Sequence, residues 1–184
     1  MAVGVTALVV HWIFTAMVRK SHDGIRSYTM DFLCDIGAGL EDYQLDHAIY
    51  PLHVPDSGDE AIIQDTILRD QFAATGAHLL YSHLSGDFDG DGRVDDGAVA
   101  YVDRLDLESQ RGYPGRPSPK ELRAIETPGG PVIVDPFGVP IRYLSAPPDV
   151  PMDQKGTLNP TYDLWSLGGG SADTPETWIT NWSH

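Results

Sequence analysis

Ala2 to Val18 forms seventeen residues without a charge, broken only by His11, Trp12 and two threonines and ended by Arg19-Lys20. Seventeen is the lower limit for a helix that spans a bilayer. A secretory signal peptide fits poorly, because there is no basic stretch before the apolar run and no small-residue cleavage site after it. Beyond Lys20 the pattern changes. Ile25, Tyr28, Phe32, Ile36, Leu40 and Tyr43 recur at three- and four-residue steps, with Asp31, Asp35, Glu41 and Asp42 largely on other faces, which predicts a continuing amphipathic helix. Gly37 and Gly39 weaken it by about 1 kcal/mol each relative to Ala, and Pro51 stops it. An apolar half (residues 1–20) and an amphipathic half (21–51) thus predict one helix of roughly 45 residues and roughly 65 Å.

The middle of the chain, 52–115, reads as an inserted region. Ile62, Ile63, Ile67, Leu68 and Phe72 predict a short helix over 60–72, with Thr75-Gly76 marking its end and a short apolar piece from His78 to His83. The last part, 116–184, reads as a small sheet. Glu121 to Ile125 suggests a short helix and Pro128 to Pro131 a turn. Asp135-Pro136 with Gly138 predicts a second turn. Val139 to Tyr143 predicts a half-buried strand and Tyr162 to Leu167 another. Gly168-Gly169-Gly170 then permits a loop that folds closely around something. Trp182 supplies a large apolar anchor.

With 184 residues the chain is long enough for one domain with a core. Its net charge of −15 argues against nucleic acid and against an anionic membrane surface. The same charge favours divalent cations, although a solvated acidic surface explains it equally well. Cys34 is the single cysteine, so no intrachain disulfide forms; it reads as a small core or interface residue.

The acids gather at Asp87-Phe88-Asp89-Gly90-Asp91-Gly92-Arg93-Val94-Asp95-Asp96. Carboxylates at loop positions 1, 3 and 5 with Gly at 6 match the first half of a calcium loop of the EF-hand kind. Arg93 would give its carbonyl at position 7, Val94 would pin the loop to the core, and Asp95 falls at position 9. Position 12 is Ala98, so the usual bidentate Glu is absent, and Asp96 or an acid elsewhere such as Asp103 would complete the shell. Calcium is favoured over magnesium, which demands stricter octahedral geometry; the alternative is a solvated Asp-Gly turn. Catalytic patterns are lacking. His78 and His83 are five apart, off the spacing of a helical zinc pair. Ser166 is not in a nucleophile elbow, and there is no dinucleotide or phosphate loop. The reading is not an enzyme.

Three C-terminal pieces occur in order: Val134-Asp135-Pro136-Phe137-Gly138-Val139-Pro140-Ile141-Arg142-Tyr143, Tyr162-Asp163-Leu164-Trp165-Ser166-Leu167-Gly168-Gly169-Gly170, and Asn181-Trp182. This succession resembles the C-terminal half of the type II secretion major pseudopilins, where D-P-W-G-x-P-Y, Y-D-L-x-S-L-G-A-D-G and N-W recur. Glu41 to Pro51 is similar to that family's helix end, E-x-Y-x-L-D-x-G-x-Y-P. The cleavage pattern Gly-Phe-Thr-Leu-x-Glu of pilin-like precursors does not occur in the chain. The resemblance implies an α+β pilin-like fold, with a long N-terminal helix packed by its C-terminal half on a small antiparallel sheet. It implies a filament subunit of a secretion pseudopilus: a homo-oligomer with other pilin-like partners, anchored in the inner membrane by residues 1–20, with a periplasmic or extracellular head. It also implies calcium in the C-terminal loop. There the family's A-D-G reads Gly169-Gly170-Ser171, so the Leu167 carbonyl would need Asp173 or Glu176 in place of the lost aspartate. Two other readings remain open: a free-standing extracellular pilin-like filament subunit, and a soluble calcium-binding module with a buried N-terminal helix that does not polymerise.

Overall fold

The computed structural model describes residues 2–55, 65–102, 105, 123–151 and 155–182, with the side chains of 2–22 and 123 excepted. Helix α1 runs Ala2–His47 and α2 runs Thr66–Ser85. Strands β1 (Arg123–Thr127) and β2 (Gly130–Val134) form an antiparallel hairpin. Strands β3 (Arg142–Ser145), β4 (Tyr162–Ser166) and β5 (Ile179–Thr180) form an antiparallel sheet in that order, with a 3-10 turn at Pro175–Thr177 before the last. The fold is α+β, with two helices and two small antiparallel sheets among the described residues.

At 46 residues, α1 is about 69 Å long. Its described buried side chains are Thr29, Phe32, Leu33, Ile36, Leu40 and Tyr43, all in its later half. Of these, Phe32, Leu33, Ile36 and Leu40 enter the main core with Leu80, Tyr81 and Leu84 of α2 and with Tyr143, Tyr162, Leu164 and Ile179 of the sheet. The two glycines that weaken the helix are points of close approach. A Cβ on Gly39 would lie 2.5 Å from the Val102 side chain, and one on Gly37 would lie 3.3 Å from the Tyr162 hydroxyl. Among the described residues no helix is long and apolar enough to cross a membrane. The membrane-anchor expectation falls on side chains 1–20, which lie outside the described residues.

Three expectations about local structure are corrected. Gly76 does not end a helix: α2 continues through it to Ser85, so His78 to His83 is helical. A Cβ on Gly76 would sit 2.8 Å from the Tyr143 carbonyl and 2.6 Å from the His53 ring, so glycine here lets the helix lie close to β3. The helix starts where the Asp65 carboxylate accepts the Ile67 and Leu68 N–H groups and stops at Gly86, whose φ is 73°. The expected helix over 60–72 is described only from residue 65. Arg123–Thr127 is a strand, not part of a helix, because Pro128-Gly129 turns the chain back on Gly130–Val134, pairing Ala124 with Ile133 and Thr127 with Gly130. Finally, Cys34 lies on the exposed side of α1, which removes the core alternative of its reading and leaves the interface one.

The expected half-buried strand at Val139–Tyr143 is Arg142–Ser145 instead, and it is buried throughout. Pro140 makes only an isolated bridge to Val134, after a turn in which the buried Asp135 carboxylate accepts the Phe137 and Val139 N–H groups and the Ser166 hydroxyl. Strand β4 is also buried throughout, since both faces of the sheet are covered. Tyr143, Tyr162 and Leu164 join the core shared with α1, whereas Leu144 and Trp165 join Ala73 of α2, Leu167 and Trp178. Polar residues on the α2 side are paired. Arg142 donates from Nε to Asp70 at 2.9 Å and from Nη2 at 3.2 Å, and Trp165 Nε1 donates to the same carboxylate at 3.2 Å. Arg69 pairs with Asp163, and its guanidinium lies 5.3 Å from the Trp165 ring and 5.6 Å from that of Trp182. Trp182 thereby closes the α2 side, as expected.

The end of α1 carries one local strain. Ala48 has φ 63°, and its N–H bonds the Gln44 carbonyl at 2.8 Å. This left-handed conformation costs a side-chain-bearing residue roughly 1–2 kcal/mol that glycine does not incur. Ala48→Gly is expected to stabilise the full chain by about 1 kcal/mol, read as a higher denaturant midpoint at unchanged slope. A lower midpoint would mean that the Ala48 methyl contributes packing that outweighs the strain.

Candidate metal centre

The acidic loop begins one residue after α2 ends. Gly86 carries the chain out of the helix with its N–H on the Ser82 carbonyl at 3.0 Å. Asp87, only 1% exposed, turns back against the helix. Its Oδ2 accepts the Tyr81 hydroxyl at 2.7 Å and the Gly92 N–H at 2.9 Å; its Oδ1 accepts the Gly90 N–H at 2.8 Å. Its own N–H donates to Ser85 Oγ at 3.1 Å. Gly90 and Gly92 have φ of 76° and 91°, which lets the chain coil round this carboxylate.

Asp89 and Asp91 are exposed, and each stiffens the next step of the loop. Asp89 Oδ1 accepts the Asp91 N–H at 3.0 Å, and Asp91 Oδ1 accepts the Arg93 N–H at 2.9 Å. Asp87, Asp89 and Asp91 can each present one carboxylate oxygen such that the three lie within 4.8 Å of one another. This group could hold a metal ion. Its donors are all hard carboxylate oxygens, which suits a hard divalent cation rather than a thiophilic one. On Asp87 the less occupied atom is Oδ1, with one bonded N–H against two donors on Oδ2.

The other expected ligands are placed differently. Asp95 closes the base of the loop: its N–H donates to the Gly86 carbonyl at 2.9 Å, and its Oδ2 accepts the Phe88 N–H at 2.8 Å. Asp95 is not one of the three gathered acids. Asp96 is exposed on the turn at Gly97, and Asp103 lies outside the described residues. Arg93 keeps its place after Asp91. Val94 does not pin the loop to the core; it is 45% exposed, since Asp87 with Tyr81 already makes that anchor.

In the tail, the glycine loop folds round Thr177. A Cβ on Gly168 would meet the Thr177 carbonyl at 2.1 Å, and one on Gly170 the Thr177 hydroxyl at 2.0 Å. The Leu167 carbonyl accepts the Gly170 N–H at 2.9 Å, and the single Thr177 hydroxyl proton lies within reach of both this carbonyl, at 3.0 Å, and that of Thr174, at 2.8 Å. Asp173 accepts the Ser171 hydroxyl, and both Asp173 and Glu176 are exposed. Neither belongs to a group of three metal-ligating side chains among the described residues. Arg26 of α1 ties this loop to the long helix by donating to the carbonyls of Thr177 and Trp178 at 2.6 and 3.5 Å.

Sequence reading missed Tyr81 and Ser85 as supports of Asp87. Both look like ordinary helix positions, and no spacing rule ties a tyrosine to an acid six residues later. No protein-family model, curated protein or solved structure matches the chain.

The burial asymmetry within the acidic group separates its folding role from its binding role. With chelator present, Asp87→Ala is expected to destabilise the chain by about 2–3 kcal/mol, because the Tyr81 hydroxyl and two N–H groups lose a charged acceptor. Tyr81→Phe should cost about 1.5–3 kcal/mol, and Asp89→Ala and Asp91→Ala under about 1 kcal/mol each. Urea unfolding in chelator checks the order. Equal losses at all three acids would mean that Asp87 is not the residue holding the loop to α2.

Proposed function

We propose that this chain is a structural, pilin-like filament subunit of the type II secretion pseudopilus kind, and that its acidic loop binds calcium. The observation that carries the reading is a 46-residue helix whose later half packs on a small antiparallel sheet closed by a C-terminal loop. The ordered C-terminal segments and the helix end at Glu41 to Pro51 support it from the sequence. On this reading the apolar half of α1 anchors the subunit in the inner membrane and packs with its neighbours in the filament. The head, periplasmic or extracellular, is rigid, and the work of the protein is assembly rather than catalysis.

Calcium suits the acidic loop because its ligands are carboxylates on a glycine-containing turn that tolerates irregular coordination. Asp87, Asp89 and Asp91 supply the charge, and the Arg93 carbonyl with water or Asp96 completes the shell. With no glutamate at position 12, affinity falls toward the weak end of the range for such loops. The tail loop is a second candidate only if Thr177 yields the Leu167 carbonyl to an ion held by Asp173 or Glu176.

Two measurements test this. Thermal unfolding of the full chain with calcium at about 100 times its dissociation constant should show roughly 2.7 kcal/mol of added stability over chelator, lost in an Asp89→Ala/Asp91→Ala double variant. A gain that survives in the double variant moves the ion to the tail loop, and no gain at all removes calcium from the reading. Independently, electron microscopy and sedimentation of the full chain should reveal filaments. A folded chain that stays monomeric, without detergent and with calcium, would favour a calcium-binding module instead.

A further inference from the structure

The helix ends meet in a joint built of rings. His47 in the last turn of α1 stacks on Tyr43 with centroids 4.1 Å apart, Tyr43 meets His83 of α2 edge-on at 5.2 Å, and His83 meets Phe88 of the acidic loop edge-on at 5.4 Å. Tyr101 packs against both Tyr43 and His47. Its hydroxyl donates to Asp46 at 3.0 Å, so at the 3.1 Å contact with His47 it is the Nε2–H that donates and Tyr101 that accepts. The segment after the loop is fastened to α2 by the Tyr101 and Val102 N–H groups, which both donate to the Leu84 carbonyl, at 2.8 and 3.0 Å.

At the centre of this joint, His83 Nδ1 is buried with no hydrogen-bond partner among the described residues. Among the described residues no carboxylate acts on it. Asp87 is committed to Tyr81, Gly90 and Gly92, and Asp46, like Asp42, acts on Tyr101. From α1 it faces Tyr43 and His47, and from the acidic loop Phe88. A proton on His83 would therefore put a charge among rings and beside His47, with no described carboxylate to meet it.

We propose that this ring joint is an acid-operated release, in which protonation of His83 frees the segment bearing Tyr101 and Val102 from the ends of α1 and α2. Burial first, and the neighbouring His47 second, hold His83 below the ordinary histidine value. A histidine depressed in the fold leaves stability intact above its unfolded value of about 6.5 and removes it as pH falls below that. His53, also held low by burial, acts in the same direction beside Phe72 and Thr75, so a His53→Gln chain serves as the control.

Hydrogen exchange of the full chain from pH 7.5 to 5, corrected for intrinsic rates and run in chelator to exclude ion release, tests the release. Protection of the Tyr101 and Val102 amides should fall by up to tenfold per pH unit as the pH drops below about 6.5, and level off once it passes below the value of His83 in the fold. The loss should persist in His53→Gln and vanish in His83→Gln. In His47→Gln, an exposed change, removing the neighbour that helps hold His83 low should reduce the loss at any given pH above 5. The idea is overturned if the wild-type amides stay protected at pH 5, or if they lose protection equally in His83→Gln. If His83→Gln does not fold, an unchanged profile in His47→Gln overturns it.

Discussion

The packing of α2 and of the later half of α1 follows from covering a three-stranded sheet on both faces. Strands β3 and β4 present Tyr143, Tyr162 and Leu164 to the core shared with α1, and Arg142, Asp163 and Trp165 to α2. A charge on a fully covered strand is costly unless it is paired. The sequence of α2 meets that demand at two adjacent positions, Arg69 for Asp163 and Asp70 for Arg142. Oppositely signed neighbours on one helix turn accept only the register in which each finds its partner, and Trp165 adds a third bond to Asp70. These pairs add more to uniqueness of packing than to stability, since an apolar replacement of similar shape could do as well. Once α2 is fixed in this way, Gly76 brings it close to β3 and its C-terminus is set where the acidic loop must begin.

What the sequence made legible is what local rules govern. The step pattern from Ile25 to Tyr43 is buried on the expected side, the helix stops before Pro51, and the Asp135 turn and the strand at Tyr162 stand where the residues suggest. The misreadings share one cause. Gly76 reads as a breaker because its neighbour, the Tyr143 carbonyl, is distant in sequence. Arg123 to Thr127 is too short for periodicity to decide between helix and strand, and only the Pro128-Gly129 reversal with its pairing to Gly130–Val134 settles it. The alternation along β3 promises one wet face, but α2 removes it.

The two candidate loops differ for the same reason. Alternating acids and glycines in the acidic loop define its shape locally, so Asp87, Asp89 and Asp91 come together as their spacing suggests. Its attachment does not follow from the motif: an apolar pin at Val94 was a reasonable expectation, whereas the real anchor is a hydroxyl from a buried tyrosine on the preceding helix. In the tail, glycines foretold a tight wrap without saying round what. The contents are Thr177, whose hydroxyl reaches the Leu167 carbonyl that a cation would otherwise use.

Asp87 therefore has two allegiances. Its Oδ2 belongs to the fold, holding the helix end through Tyr81 and the loop turn through Gly92, while Oδ1 has a single N–H bonded to it. A cation bridging Oδ1 to Asp89 and Asp91 would strengthen the negative end of an anchor that already exists, rather than create structure from a disordered acidic run. Repulsion among the three acids is tempered by N–H donors from Gly90, Asp91, Gly92 and Arg93. The loop thus holds its shape through its own N–H donors, and a cation held by the three acids would add to an anchor already made.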